Sequence, residues 1–248
     1  MSSPLRCCFA LLAACILSGW SVAARAQDAV AISGSIGATS DFVFRGLSYT
    51  RGGPAAQASL DLEVDAGVYA GGFVSSTNPN PGASPPAEVD LWLGLQRVLN
   101  EWLSADLRYV HYMYPDDPRV ADYDRDELTA TLGVKRAVFL AVTYSPNTEA
   151  IASVPGASRG DAWAVEVLAQ HRLSARWSIS AGGGRYFLDE IYAEDYDYWG
   201  ATLSLDLTPV EIHFAVLGAD SAAERIFTSR IAGERIAVTA LYRFAVTR

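Results

Sequence analysis

The chain has 248 residues and a formal charge of −9, with 28 acids against 19 bases, and half of its residues are hydrophobic. So acidic a balance excludes a nucleic-acid partner or a polybasic membrane contact. All three cysteines (Cys7, Cys8, Cys15) fall in the first 15 residues. The remainder is therefore neither a disulfide-stapled scaffold nor a seat of thiolate or cysteine–metal chemistry.

Residues 1–26 read as a cleaved signal peptide. Arg6 precedes the apolar run Cys7 to Leu17, and small residues lead to the A-x-A pattern Ala24-Arg25-Ala26. The apolar run is too short to span a bilayer. Cleavage between Ala26 and Gln27 is expected, leaving residues 27–248 as one β-domain. Leu12-Ala13-Ala14-Cys15 also fits a lipoprotein acylation site, but cutting there leaves a very short signal. Loss of Arg6 and Arg25 makes the remainder two charges more acidic than the whole chain. The longest later charge-free interval, Ala66 to Ala87, is broken by Asn78, Pro79, Pro81, Pro85 and Pro86, so it predicts no transmembrane helix. A membrane crossing would then need strands, because only helices and closed barrels satisfy every backbone group in lipid.

Apolar and polar residues alternate with the period of a strand. Ala56, Ala58, Leu60, Leu62 and Val64 interleave with Gln57, Ser59, Asp61 and Glu63; Val89, Leu91, Leu93 and Leu95 with Glu88, Asp90 and Trp92. The same pattern sets Trp163, Val165 and Val167 against Glu166 and Gln170, and Trp199, Leu203 and Leu205 against Thr202, Ser204 and Asp206. Each run is about ten residues, enough for a tilted strand to cross a hydrocarbon core. Short connections (65–67, 100–101, 174–176, 208–209) alternate with long ones (76–87, 115–125, 146–160, 188–194, 219–228). The fold predicted is an all-β, up-and-down antiparallel transmembrane barrel. Twelve strands are expected near 30–39, 55–65, 67–76, 88–99, 102–114, 126–136, 137–145, 161–173, 176–187, 195–207, 209–218 and 234–246. Ten is the alternative count, since the sixth and seventh abut with only Lys135-Arg136 between them.

Aromatic residues near strand ends (Trp102, Tyr109, Tyr112, Tyr114, Trp177, Tyr196, Tyr198, Trp199) predict interfacial girdles. Soluble sandwiches carry such residues too. The polar face discriminates better: it mixes charges with small residues such as Ser59, Gly94, Thr131, Gly184 and Ser204, as a lumen does, while the other face is aliphatic.

Gly37-Ala38-Thr39-Ser40-Asp41-Phe42-Val43-Phe44-Arg45-Gly46-Leu47-Ser48 resembles the S-D-Y-V-F-R-G-I-S opening of TorF-type porins. Pro54 to Gln57, Gly67 to Gly71, Glu88 to Gly94 and Tyr144-Ser145-Pro146-Asn147 are similar to further elements of that family. The likeness is strong over the first third of the chain and diffuse afterward. It implies an outer-membrane location and pore activity, without a solute. Expected partners are outer-membrane lipid, periplasmic chaperones, the barrel-insertion machinery and small solutes; no cofactor is expected. Tyr242-Arg243-Phe244 has the aromatic-x-aromatic form of a barrel terminus, but four residues extend past it.

The candidate site residues are charges. Asp41 and Arg45, four apart, are expected on one side of the chain, as a constriction pair or as a salt bridge fixing the first strand's end. Gly46 and Gly52-Gly53 permit tight backbone before the second strand. The register also turns Asp61, Glu63, Asp90, Asp106, Arg108, Glu127, Glu166 and Asp206 inward, with Lys135, Arg172, Arg235 and Arg243. In a lumen this narrow they either set ion preference or pair across it. His213, between Glu211 and Ser204 or Asp206, permits a Ser-His-acid arrangement, but no nucleophile motif supports catalysis. The loop acids Asp116, Asp117, Asp122, Asp124 and Asp126 lack the glycine and distal glutamate of a calcium loop. Three functions compete: passive diffusion of small hydrophilic solutes, a non-conducting barrel serving as receptor, adhesin or structural anchor, and a soluble periplasmic ligand binder.

Overall fold

A computed structural model describes residues 30–64, 66–78, 86–115, 123–149 and 158–247. The signal segment and the Ala26–Gln27 cleavage site lie outside these, as do Asp116, Asp117 and Asp122. The strands, in chain order, begin with β1 (Ala31–Thr39), the two-residue strands β2 (Val43–Phe44) and β3 (Leu47–Ser48), and β4 (Ala55–Glu63). They continue with β5 (Val68–Ser76), β6 (Ala87–Val98), β7 (Leu103–Met113), β8 (Arg125–Val134), β9 (Val138–Thr148) and β10 (Gly160–Arg172). The last are β11 (Trp177–Phe187), β12 (Tyr196–Asp206), β13 (Val210–Ala219) and β14 (Arg235–Thr247). All but β2 and β3 form one closed antiparallel barrel of twelve strands. Closure runs through β1, which pairs with β4 from Ala31↔Glu63 to Thr39↔Ala55 and with β14 from Ala31↔Thr247 to Thr39↔Thr239.

The choice between ten and twelve strands is settled at Lys135-Arg136. Both residues have positive φ (50° and 55°), and Ala137 N–H donates to the Val134 carbonyl at 2.9 Å. This is a two-residue hairpin turn of the primed type, usually built from Asn and Gly. A Lys-Arg pair gives no such signal in the sequence. Lys135 consequently sits outside the lumen, over the Trp102 ring at 3.9 Å. Arg172 likewise leaves the lumen, donating to the carbonyls of Ser174 and Ala175 at 2.8 Å each.

Six long connections lie at one end of the barrel, and five short turns with both strand termini lie at the other. The apolar side chains of the alternation point outward: Leu93 is 57% exposed, and Leu91, Leu140, Val167 and Phe214 join it in an aliphatic belt. Period two also sorts the aromatics. Tyr109 and Trp199 face outward as expected of a girdle, but Tyr112, Tyr114, Tyr196 and Tyr198 are buried inside. Among the described residues two long connections carry helices, α1 (Asp189–Tyr192) and α2 (Ser221–Phe227), where the sequence suggested only loop. Asp220 caps α2 by accepting from the N–H groups of Ala222 and Ala223 at 3.0 and 3.1 Å. Residues 245–247 are not a loose tail. Ala245, Val246 and Thr247 continue β14 and pair with Ser33, Ile32 and Ala31.

Candidate functional site

Residues 40–54 do not extend the first strand. They turn into the barrel, and β2 and β3 pair as Val43↔Ser48 and Phe44↔Leu47. The tip is Arg45-Gly46, both at positive φ (46° and 77°), again a primed two-residue turn. Only glycine fits the second position: a Cβ on Gly46 would lie 2.8 Å from the Gly218 carbonyl oxygen and from the Ala219 Cβ. Asp41 to Ser48 are all buried. The base of the hairpin is tied to the long loops, with Ser48 N–H donating to the Ile231 carbonyl at 2.8 Å and Asn78 N–H to the Tyr49 carbonyl at 2.7 Å.

The hairpin crosses the lumen. Val43 packs on Ala215, Leu217 and Ala237 of β13 and β14. At the tip, Arg45 donates to both carboxylate oxygens of Glu127 on β8, at 2.7 and 3.0 Å. β8 and β14 stand six strands apart in the ring of twelve, on opposite walls. The Arg45 guanidinium is sandwiched between the rings of Phe44 (4.7 Å) and Tyr186 (4.6 Å). Burial pulls its pKa down, but Glu127, Tyr186, Tyr198 and Glu166 together more than reverse this, leaving it well above the ordinary arginine value and always charged. Glu127 also faces Arg125 Nε at 3.6 Å and accepts from the Tyr112 hydroxyl at 3.2 Å. Arg125 in turn lies 3.9 Å over Tyr112 and donates to the Tyr114 hydroxyl at 2.6 Å, which itself donates to Glu88. Tyr49, at the base of the hairpin, has its phenol pushed by burial up to about 12 and is neutral.

Asp41 and Arg45 therefore have different partners rather than each other. Asp41 accepts from Ser48 Oγ at 2.5 Å and Thr50 Oγ1 at 2.9 Å, and pairs with Arg235 at 3.4 Å. It folds the hairpin's base while Arg45 latches its tip, because the turn between them reverses the chain. Asp90, Arg108 and Glu166 are buried on the inner wall, Glu166 close enough to Arg45 to act on its charge. Asp61 is half-buried on the inward face of β4. Asp106 accepts from the Tyr69 hydroxyl at 2.7 Å, and Asp206 pairs with Arg243 at 3.3 Å near the short-turn end. Arg125, Tyr112, Tyr114 and Tyr186 escaped the sequence reading as site residues; the inward phase of the three tyrosines was present in the alternation, whereas Arg125 stands at the very start of β8.

Ser204 and His213 are opposed rung partners, with Oγ 2.8 Å from Nδ1. Glu211 lies 3.9 Å from Nε2 and 2.9 Å from Arg243. His213 is only 1% exposed, and the cluster braces β12, β13 and β14.

The barrel is similar to the solved KdgM porin, with 10% identity over 87% of this chain and 99% of that one and a TM-score of 0.53. It is also similar to the NanC porin, with 9% identity over 86% and 98% and a TM-score of 0.54. A KdgM porin in complex with disordered oligogalacturonate aligns at 10% identity over 86% and 99%, with a TM-score of 0.51. At these identities the likeness concerns the fold, that of outer-membrane porins. No curated protein matches the sequence. A family model described as a bacterial protein of unknown function, Gcw_chp, matches residues 23–247, and the chain belongs to that family.

Proposed function

We propose that the protein is an outer-membrane channel for passive diffusion of small hydrophilic solutes, with the β2–β3 hairpin as its constriction. The observation that carries this is the inversion of polarity: an aliphatic belt outside and charged residues inside. A soluble barrel would bury the former; lipid is the solvent that accepts it. The porin folds above and the TorF-like opening motif support the same reading. Export by residues 1–26, escort by periplasmic chaperones and assembly by the barrel-insertion machinery follow from it, with the long loops outside the cell.

The lumen has an acidic excess. Asp41, Asp61, Glu88, Asp90, Asp106, Glu127, Glu166, Asp206 and Glu211 face it against Arg45, Arg108, Arg125, Arg235 and Arg243. An acidic wall favours cations, so this channel should pass cations and neutral solutes better than acidic sugars such as the oligogalacturonate held by the KdgM porin. In planar bilayers under a salt gradient, the reversal potential should have the sign of cation preference. Asp61→Asn with Asp106→Asn should move it toward zero; an unchanged or anion-type potential rejects the assignment.

The packed hairpin also favours a second reading, a non-conducting barrel acting as receptor or anchor. Purified protein that inserts yet gives no channel steps decides for that reading. Both readings require the lipid-facing belt. Leu93→Arg, near mid-height of β6, is expected to lower the stability of the vesicle-folded barrel by about 2–4 kcal/mol. Urea unfolding in vesicles reads this, and a neutral result counts against a membrane-spanning β6.

A further inference from the structure

The short-turn end of the barrel gathers basic residues on its outer rim. Arg97 stands one residue from the end of β6, Lys135-Arg136 turn β8 into β9, Arg172 ends β10, and Arg176 leads into β11. All five are exposed. Strands β6 to β11 are consecutive in the ring, so the five share one arc of roughly 25 Å at the usual strand spacing. Among the described residues of these turns (97–102, 135–136, 172–177) Glu101 is the one acid, and it accepts from Trp102 Nε1 at 2.9 Å. Arg97 donates to the Ala66 carbonyl, Arg172 to those of Ser174 and Ala175, and Lys135 lies over the Trp102 ring. Among the described residues these three charges thus meet carbonyls and a ring rather than a carboxylate. The opposite rim has the other sign: Asp126, Asp161 and Asp197 occupy outward positions at the long-loop ends of β8, β10 and β12. The net acidity that argued against a polybasic membrane contact therefore averages two ends that the barrel holds apart.

We infer that the short-turn rim from β6 to β11 is a contact for anionic phospholipid headgroups of the periplasmic leaflet. This rests on the reading of the chain as an outer-membrane barrel. Tryptophan sets the depth: Trp102 is 50% exposed and Trp177 shares the outward face of Ile179, where an indole favours the headgroup level. Exposed Leu99 and Leu173 beside them select a lipid over a soluble acidic partner. Guanidiniums suit a phosphodiester, and each Lys or Arg at an anionic bilayer surface adds attraction. The sign of the effect discriminates, because a barrel acting through its total charge would repel anionic lipid.

Electron spin resonance of the full chain in phosphatidylcholine vesicles tests this. Trace spin-labelled phosphatidylglycerol or phosphatidylcholine reads the ratio of their association constants at the protein boundary. At low salt the ratio should favour phosphatidylglycerol by about three- to fivefold. In 1 M salt, where the screening length is about 3 Å, it should fall toward one. Lys135→Asn with Arg136→Gly removes two charges and supplies the residues a primed turn favours, so the barrel keeps its fold. With Arg176→Gln added, the ratio should fall to less than half. Arg159→Gln removes a base at the long-loop end and should leave it unchanged. A ratio of one or below for the natural chain, an unchanged ratio in the folded triple variant, or an equal fall with Arg159→Gln would each overturn the inference. Heat-modifiable migration reads insertion separately, and a chain that does not insert overturns the outer-membrane reading and this inference with it.

Discussion

Replacing residues 42–49 with a short glycine-serine linker is expected to raise single-channel conductance several-fold while leaving the barrel folded. The hairpin contributes no rung to the closed sheet, since β1 pairs directly with β4 and β14. Its removal therefore leaves the barrel's backbone hydrogen bonds intact. What it does supply is matter across the lumen, from Ala237 on one wall to Glu127 on the other. Conductance in bilayers and retention of heat-modifiable migration are read together. An unchanged conductance places the narrowest section elsewhere. A barrel that no longer folds means that the hairpin is a core element, and the receptor or anchor reading gains.

A finer version of this experiment uses Gly46→Val. The substitution forces a Cβ toward the Gly218 carbonyl at a φ that β-branched residues avoid. The tip can then no longer seat on β13, although every charge of the latch remains. Conductance between that of the natural chain and the deletion, with more open-close noise, is the expected record. If Gly46→Val instead matches the natural chain, the tip's seat on β13 is not what holds the hairpin down.

The barrel was legible because its signal is local. A period of two over about ten residues places Leu91, Leu93 and Leu95 on one face whatever the partner strand is. The same phase put Asp61, Asp90, Asp106, Arg108 and Glu166 on the inner face, where they are found. The latch was not legible, because lumen contacts join residues remote along the chain: Arg45 and Glu127 are 82 positions apart. A stretch that mixes Phe42, Val43, Phe44 and Leu47 with charges and two glycine sites reads equally well as the end of a strand or as a plug. The distinction rests on what the opposite wall offers: a buried carboxylate on β8 and small residues on β13 and β14. Arg125 was missed for a related reason. It stands at the first position of β8, where loop composition blends into strand and the phase has not yet repeated.

The two ends of the latch should not be equivalent. Glu127 is shared by Arg45, Arg125 and Tyr112, whereas Arg45 has Glu127 as its only hydrogen-bonded acceptor among the described residues. Glu127→Ala strands two buried guanidiniums near each other. Breaking a buried pair from the side that leaves charge uncompensated costs about 3–5 kcal/mol. Arg45→Ala leaves Glu127 still facing Arg125 and Tyr112, and its loss is nearer the roughly 1.5–3 kcal/mol of hydrogen bonds to a charged group. Urea unfolding of the vesicle-folded variants should therefore rank Glu127→Ala as clearly the more damaging, with Glu127→Gln between. Both alanine variants should release the hairpin tip and raise conductance, since each severs the contact with β8. Equal losses of stability would mean that Arg125 does not share the carboxylate. A larger loss for Arg45→Ala would shift the weight of the latch from the ion pair to the stacking of Arg45 between Phe44 and Tyr186.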